Sequence, residues 1–280
     1  MITRLSASRL FSSAPAPSAK SIDDIEHYWE KGLKWYSMMN SELSVKAYKT
    51  LVPFLHLNQA KKILEIGGGT GAGASQIIPH MSPSATYMLT DHIECFLKVA
   101  RERNLPQTEI IKCSPDNLPF SGESFDRFIA LATLEELDTT KKIIQEAYRV
   151  LLPGGIMAAS LSGKRESDSY RLIMDKVKNK FDITSPFKFR NELKNLRQIM
   201  RMFERTGFNK LFKFYESAQF CTDDIEKLKK FYLEEPSIAE QPEAKLKDIE
   251  KYLDKLLTDL IVRDGIPIET EYLIILAFKA

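Results

Sequence analysis

No stretch of this sequence approaches the ~20 consecutive apolar residues of a bilayer-crossing helix, so no transmembrane segment is expected. Cysteine is scarce: Cys95, Cys113 and Cys221 are an odd set without metal-ligand spacing, which argues against a disulfide framework and for a reducing interior. The four histidines, His27, His56, His80 and His92, make no metal-binding pattern either, and no metal is expected. A large charge of one sign is also missing, since the formal net charge is +2, and no nucleic-acid module is appended. Nucleic acid is therefore not an expected partner. Internal repeats are absent, and low complexity is confined to the first 20 residues.

What is present is the composition of an ordinary globular protein, 44% hydrophobic and 28% charged over 280 residues. Residues 1–20 stand apart: they hold Arg4, Arg9 and Lys20 without an acid, with Leu5, Leu10 and Phe11 among small residues. This pattern matches a mitochondrial transit peptide better than a secretory signal, which needs a continuous apolar core. It points to the matrix or the matrix face of the inner membrane; a disordered tail is the alternative. Charge is also segregated, with 14 Lys/Arg against 6 Asp/Glu over Gly163–Lys213 and 8 against 13 over Phe214–Gly265. These are either solvated helical faces or a docking patch for a mitochondrial complex.

From Ser21 onward, residues 21–280 read as one α/β domain, a doubly wound seven-stranded mostly parallel sheet, Rossmann-like, with helices on both faces. Strands are expected at Lys62–Ile66, Thr86–Thr90, Glu109–Lys112, Phe125–Leu131, Ile156–Leu161, Lys210–Tyr215 and, antiparallel, Glu271–Phe278. A helical cover occupies 21–58, in two helices at Asp23–Met39 and at Glu42–Leu57, the second capped by Ser41 and interrupted near Pro53. The cofactor-binding core spans 59–162. Helices are expected there at Ala72–Pro79, Glu94–Arg103 and Thr139–Leu151. The substrate side, 163–280, adds Tyr170–Lys180 and Arg190–Thr206, then a helical insertion before the last strand at Thr222–Leu233 and Glu243–Val262. Leu246, Ile249, Leu253, Leu256 and Leu260 give that insertion an apolar stripe that packs against the body.

The first strand ends in Glu65-Ile66-Gly67-Gly68-Gly69-Thr70-Gly71, four glycines in five residues. Such a turn brings bare backbone close to a ligand at the carboxyl end of the sheet, where open α/β folds bind. Asp91 closes the second strand twenty residues past Gly71, where a carboxylate can accept from both hydroxyls of a ribose. The acid in front of the glycines, Glu65, suits a ligand with an ammonium group and repels a diphosphate. A nucleoside with a cationic far end meets both conditions.

Three further segments follow in order: Cys113 to Leu131, with a Leu-Pro-Phe run and then Phe-Asp at the fourth strand; Glu146 to Ser160, a helix, Pro-Gly-Gly turn and strand; and the terminal "ETEYLIILAFKA". With the glycine loop they make the chain resemble a class I S-adenosylmethionine-dependent methyltransferase, of the broad group that includes the ubiquinone-pathway methyltransferases. The resemblance is strong over about 45–162 and loose beyond. It implies S-adenosylmethionine as cofactor, with Glu65 and the backbone of Gly67 and Gly69 at its methionine end and Gly71 among the cofactor-binding residues. Asp91 would take the ribose hydroxyls and His92 would lie beside the adenine. Asp116, Asn117 and Leu118 would complete the adenine pocket, while Ala130 and Leu131 would form the floor. Tyr36, on the covering helix, resembles an aromatic that reaches the cofactor carboxylate; a core tyrosine is the other reading.

Methyl transfer from a sulfonium is an in-line displacement, so orientation of the partners can contribute about 7–11 kcal/mol at best without a protein nucleophile or metal. A general base is needed only for a hydroxyl or carbon acceptor. Many relatives look like Leu-His-His-Leu after the fourth strand; here the run is Leu134-Glu135-Glu136-Leu137, which leaves Glu135 as candidate base or as a carboxylate leading a helix. Tyr170, Phe187 and Phe220 are candidates for the acceptor pocket by position. Two functions stay open: methyl transfer to a small-molecule or quinone-like acceptor, and a methyltransferase-like accessory or assembly subunit of a mitochondrial complex.

Overall fold

The computed structural model describes residues 22–39, 43–134, 140–164, 167–184, 196–220, 222 and 224–280. The expected leader, the Ser41 cap, Glu135 and Phe187 lie outside the described residues. Strands β1 Lys62–Ile66, β2 Thr86–Asp91, β3 Thr108–Lys112, β4 Phe125–Ala130, β5 Leu151–Ser162, β6 Phe208–Gln219 and β7 Glu269–Lys279 form one sheet in the order β3-β2-β1-β4-β5-β7-β6. The pairs from β3 through β5 are parallel, and β7 runs antiparallel to both β5 and β6. This is the expected doubly wound sheet, with its last strand inserted between β5 and β6.

Alternation along the strands sends successive side chains to opposite faces. Ile63, Tyr87, Leu89 and Ile129 pack on one face with α1 Ile22–Met39, α2 Val45–Leu51, α3 Ala74–Ile77 and α4 Glu94–Glu102. Leu64, Ile66, Phe128 and Ala130 pack on the other with α5 Thr140–Val150 and α7 Leu196–Thr206. On the first face, α6 Ser169–Lys180, α8 Ile225–Leu233, α9 Pro236–Ala239 and α10 Glu243–Thr258 add to the same core, which includes Ile173, Phe231, Ile238, Ile249 and Leu253. Among the described residues, no helix is long and apolar enough to cross a membrane.

Several boundaries differ from the sequence expectation for identifiable reasons. The helix after the glycine loop is only Ala74–Ile77, because Pro79 lacks an amide N–H and the chain tightens into a 3-10 turn at Ile78–His80. Similarly, α2 stops at Leu51 and passes into a 3-10 turn containing Pro53. Strand β5 begins five residues early, pairing Leu151 with Phe125 and then shifting register across Pro153-Gly154-Gly155 before Ile156 pairs with Arg127. Strands β6 and β7 are longer than expected since their antiparallel ladder runs from Phe208↔Lys279 to Gln219↔Glu269. Exposed charges such as Lys210 and Lys213 on this outer strand hide its alternation in the sequence.

The covering helix α1 is fastened to the helical insertion by one buried carboxylate. Glu235, 1% exposed, accepts from the Tyr28 hydroxyl of α1 at 2.7 Å and from Lys178 Nζ of α6 at 2.9 Å. Its second oxygen caps α9, accepting from Ser237 Oγ at 2.5 Å and the Ile238 N–H at 3.1 Å. Removing one partner of a buried, hydrogen-bonded charge pair leaves the other uncompensated. Glu235→Ala is therefore expected to cost about 3 kcal/mol in urea unfolding, whereas Glu226→Ala, which removes an exposed carboxylate and leaves its partner Lys229 paired with Asp254, changes the midpoint little.

Candidate functional site

Above the carboxyl ends of the parallel strands lies a cavity of about 910 Å³, counted out to its open mouth. Strand β1 stands there between β2 and β4, where the chain direction of the crossovers reverses. Gly67 and Gly68 line it from β1, Asp91 and His92 from β2, Cys113 and Pro115 after β3, and Leu131, Ala132 and Thr133 after β4. The roof is the N-terminal cover: Trp29, Tyr36 and Met39 of α1, then Ser44, Ala47 and Tyr48. Trp29 and Tyr36 are two helical turns apart and reach the same opening.

The glycine loop has the backbone its composition implies. Gly67 and Gly69 have φ of +62° and +55°, a left-handed conformation that favours glycine. A Cβ at Gly69 would overlap the Tyr36 hydroxyl, and one at Gly67 would overlap Thr133. Gly71 is also left-handed but faces Leu105 and Ala100 of the α4 layer rather than the cavity. The bend is tied to β2 by the Gly68 N–H to the Thr90 carbonyl at 3.0 Å, and by the Gly69 N–H to Asp91 Oδ2 at 2.9 Å. Asp91, 6% exposed, accepts through its other oxygen from the Ile93 N–H at 2.9 Å, and His92 Nδ1 lies 3.6 Å from that oxygen. Burial pushes the Asp91 carboxyl above the ordinary carboxylate range while these backbone donors pull it down.

Glu65 is not on the cavity wall. Alternation turns it into the core beneath α2, where its oxygens accept from the Tyr48 hydroxyl at 2.6 Å and the Tyr87 hydroxyl at 2.9 Å. Tyr48 lines the cavity, so Glu65 meets it through that tyrosine. Where a direct contact to the ligand was expected, the free protein places Tyr48 between Glu65 and the cavity.

Of the other expected residues, Tyr36, His92 and Leu131 line the cavity, and Tyr36 is stacked on Phe96 with ring centroids 4.0 Å apart. Ala130 and Leu118 do not: both side chains are buried in the core of the opposite sheet face, Ala130 because alternation sends it away from Leu131. Asp116 and Asn117 are likewise off the wall. Asp116 accepts from Ser114 Oγ at 2.5 Å and lies 3.7 Å from Lys142 Nζ. An acid four residues before Leu118, as in Asp-x-x-x-Leu-Pro-Phe, would fall on Ser114; Asp116 comes two positions later. The Leu-Pro-Phe run instead fastens the segment to α5: Glu146 accepts the Leu118 N–H at 2.8 Å, and Arg149 donates to the Phe120 carbonyl at 2.7 Å. That anchorage holds Cys113 and Pro115 at the cavity. Tyr170 and Phe220 lie in the aromatic cluster around Phe231 and Tyr232, and neither lines the cavity.

Sequence reasoning missed several wall residues. Trp29 was accessible from its seven-residue spacing to Tyr36. Thr133, Ser160 and Tyr272 carry no sequence signal, because the sheet order alone brings β4, β5 and β7 side by side. The backbone is unusual here as well: Ala132, a non-glycine residue, sits at φ +52°, its N–H donated to Ser160 Oγ at 2.8 Å.

Burial pushes the Glu65 carboxyl up from 4.5 to about 7, against the pull of its two tyrosine donors. A raised folded-state value means that between pH 4.5 and 7 the folded chain keeps a proton that the unfolded chain has lost. Stability from this group is thus complete at low pH and falls as pH rises through that window, by about 3 kcal/mol in total. Glu65→Gln cannot ionise and is expected to remove the slope. Urea unfolding of the two proteins at intervals from pH 4.5 to 7 should show the variant gaining on the wild type by that amount.

Comparison with known proteins agrees with this geometry. A methyltransferase domain profile matches residues 64–159. The Coxiella burnetii ubiquinone/menaquinone biosynthesis C-methyltransferase UbiE is 26% identical over 156 residues, 52% of this chain and 62% of that one. The mitochondrial 2-methoxy-6-polyprenyl-1,4-benzoquinol methylase of Caenorhabditis elegans is 25% identical over 159 residues, 53% of this chain and 55% of that one. The chain thus spans less than two thirds of the length of these relatives. A solved SAM-dependent methyltransferase from Thermotoga maritima superposes with a TM-score of 0.55 at 19% identity, covering 91% of this chain and 100% of that one. Residues 64–159 match a methyltransferase domain, and the chain shares its fold with the solved S-adenosylmethionine-dependent methyltransferase it superposes on.

Proposed function

We propose that this chain transfers a methyl group from S-adenosylmethionine to a small, quinol-like acceptor in the mitochondrial matrix. The observation that carries the reading is the cavity at the sheet's switch point, where a left-handed glycine bend and the buried Asp91 meet on one wall. The residues present fit the cofactor. Among the described residues the wall has a carboxylate but no lysine or arginine, which suits a cationic nucleoside and disfavours a diphosphate. Bare backbone at Gly67 and Gly68, and the aromatic and apolar surfaces of Trp29, Phe96 and Ile93, give the rest of the cradle.

When bound, S-adenosylmethionine supplies an electrophilic methyl group on a sulfonium. The chain's own residues hold and orient. Asp91 would accept from ribose hydroxyls, Tyr36 would close over the loop above Gly69, and His92, Cys113 and Pro115 would flank the base. Glu65, acting through Tyr48, keeps the roof in contact with the strand that bears the loop. Helices α1 and α2 exclude water, so that alignment rather than a protein nucleophile lowers the barrier. The acid-free, arginine-containing residues 1–20 and the mitochondrial relative support the compartment. The two relatives' quinone-pathway chemistry supports the acceptor class.

Calorimetric titration of the full chain with S-adenosylmethionine and S-adenosylhomocysteine tests the reading. Both are expected to bind, and Asp91→Ala to weaken each by ~1–3 kcal/mol through loss of a charged hydrogen-bond acceptor. No heat with either ligand sinks the proposal.

A further inference from the structure

We infer that the outer side of the cover, where α2 meets the edge strand β6, docks on an anionic lipid bilayer. Helix α2 has two sides of opposite character. Ala47 and Tyr48 are buried and line the cavity, whereas Lys46, Lys49 and Pro53, at intervals of three and four residues, form an exposed stripe. Phe54 ends this stripe at 42% exposure, its ring centroid 5.2 Å from that of Phe214 on β6. Phe212 lies on the same side of β6, is 57% exposed, and packs against Phe278 of β7 with centroids 5.8 Å apart. The rings of Phe54, Phe214, Phe212 and Phe278 thus make one strip at the edge of the sheet, bordered by Lys46, Lys49 and Lys210. In α2 and β6 the one carboxylate is Glu216, which lies 3.7 Å from Lys46 Nζ. Lys49 and Lys210 make no ion pair among the described residues.

An exposed aromatic strip gains free energy by leaving water, and a border of unpaired cations selects an anionic partner. Composition decides between a protein and a bilayer. Protein interfaces are enriched in tyrosine, tryptophan and arginine and depleted in lysine. Here the bordering cations are lysines and the two exposed rings, Phe54 and Phe212, are phenylalanines without a polar tip to satisfy. That combination lets the rings enter the boundary between headgroups and acyl chains while flexible stems carry the ammonium groups to the phosphates. Pairing with a second copy through the outer edge of β6 is opposed by Lys210 and Lys213 along it. Because α2 bears the patch on one side and part of the cavity wall on the other, docking sets the roof of the cavity at the bilayer surface.

The test sediments the full chain with vesicles of phosphatidylcholine alone and of phosphatidylcholine mixed with phosphatidylglycerol. Wild type is expected to sediment with the mixed vesicles, less so as salt rises, and not with phosphatidylcholine alone. Lys49→Gln and Lys210→Gln are each expected to weaken partition about fivefold. Phe54→Ser combined with Phe212→Ser is expected to weaken it by about tenfold at an unchanged thermal midpoint. Should that pair lower the midpoint, the lysine variants, which remove only exposed charge, decide the matter. Lys251→Gln with Lys255→Gln, exposed on α10, is the control and should leave partition as it is. Wild type that ignores the mixed vesicles overturns the assignment. Binding that the patch variants leave intact also overturns it, since residues 1–20 or general charge would then carry the attraction, and so does an equal loss in the α10 control. A wild-type dimer that Phe212→Ser splits gives this face to a second copy and overturns the bilayer.

Discussion

The hydrogen bond from the Gly69 N–H to Asp91 is the contact on which the site depends. It joins the end of β1 to the end of β2 across a bend whose residues at Gly67 and Gly69 must be left-handed, so it fixes both the loop's shape and the carboxylate's direction. A buried acid is costly unless it accepts hydrogen bonds, and Asp91 has the Gly69 and Ile93 amides for that purpose. The same oxygens are thereby held at the cavity wall. A structural bond of the free protein and a carboxylate on the cavity wall are one arrangement, which is how a short loop achieves preorganisation.

The roof is held by two carboxylates that never reach the wall. Glu65 ties Tyr48 of α2 to β1, and Glu235 ties Tyr28 of α1 to α6 and α9. Each is almost fully buried and each meets its donors at both oxygens, the condition under which a buried polar network specifies one geometry. The cover therefore is seated on the sheet through one acid and on the helical insertion through the other. The consequence is that the N-terminal helices are part of the site, although they precede residues 64–159, the segment that matches a methyltransferase domain.

Much of this was legible in the sequence. Strands β1, β2 and β4 are short, mainly buried segments bounded by turn residues, and their positions fell within a residue or two of those expected. Asp91 and the glycine bend were readable because spacing along one βαβ unit dictates what comes together. Glu65 was readable as important but not in its role, because period-two alternation, rather than motif position, decides whether it faces the ligand or the core. Asp116 stands off the wall for a related reason: a motif two residues out of register places its acid beside Ser114 and Lys142. Tyr272 and Ser160 were invisible, since their meeting with Thr133 depends on β7 inserting between β5 and β6, which no local pattern encodes.

That asymmetry has a physical basis in the fold. The half of the cavity over β1, β2 and β3 is built from consecutive segments, so its chemistry follows from local sequence and is shared wherever the same cofactor is held. The half over β4, β5 and β7 is assembled by long-range pairing and roofed by helices from both ends of the chain. It can change its lining without disturbing the bend at Gly69 or the carboxylate at Asp91. A fold that hosts many reactions must separate these two requirements, and here the separation runs between β1 and β4, with Thr133 touching both sides: its side chain packs against Gly67 while its hydroxyl donates to the Ile66 carbonyl.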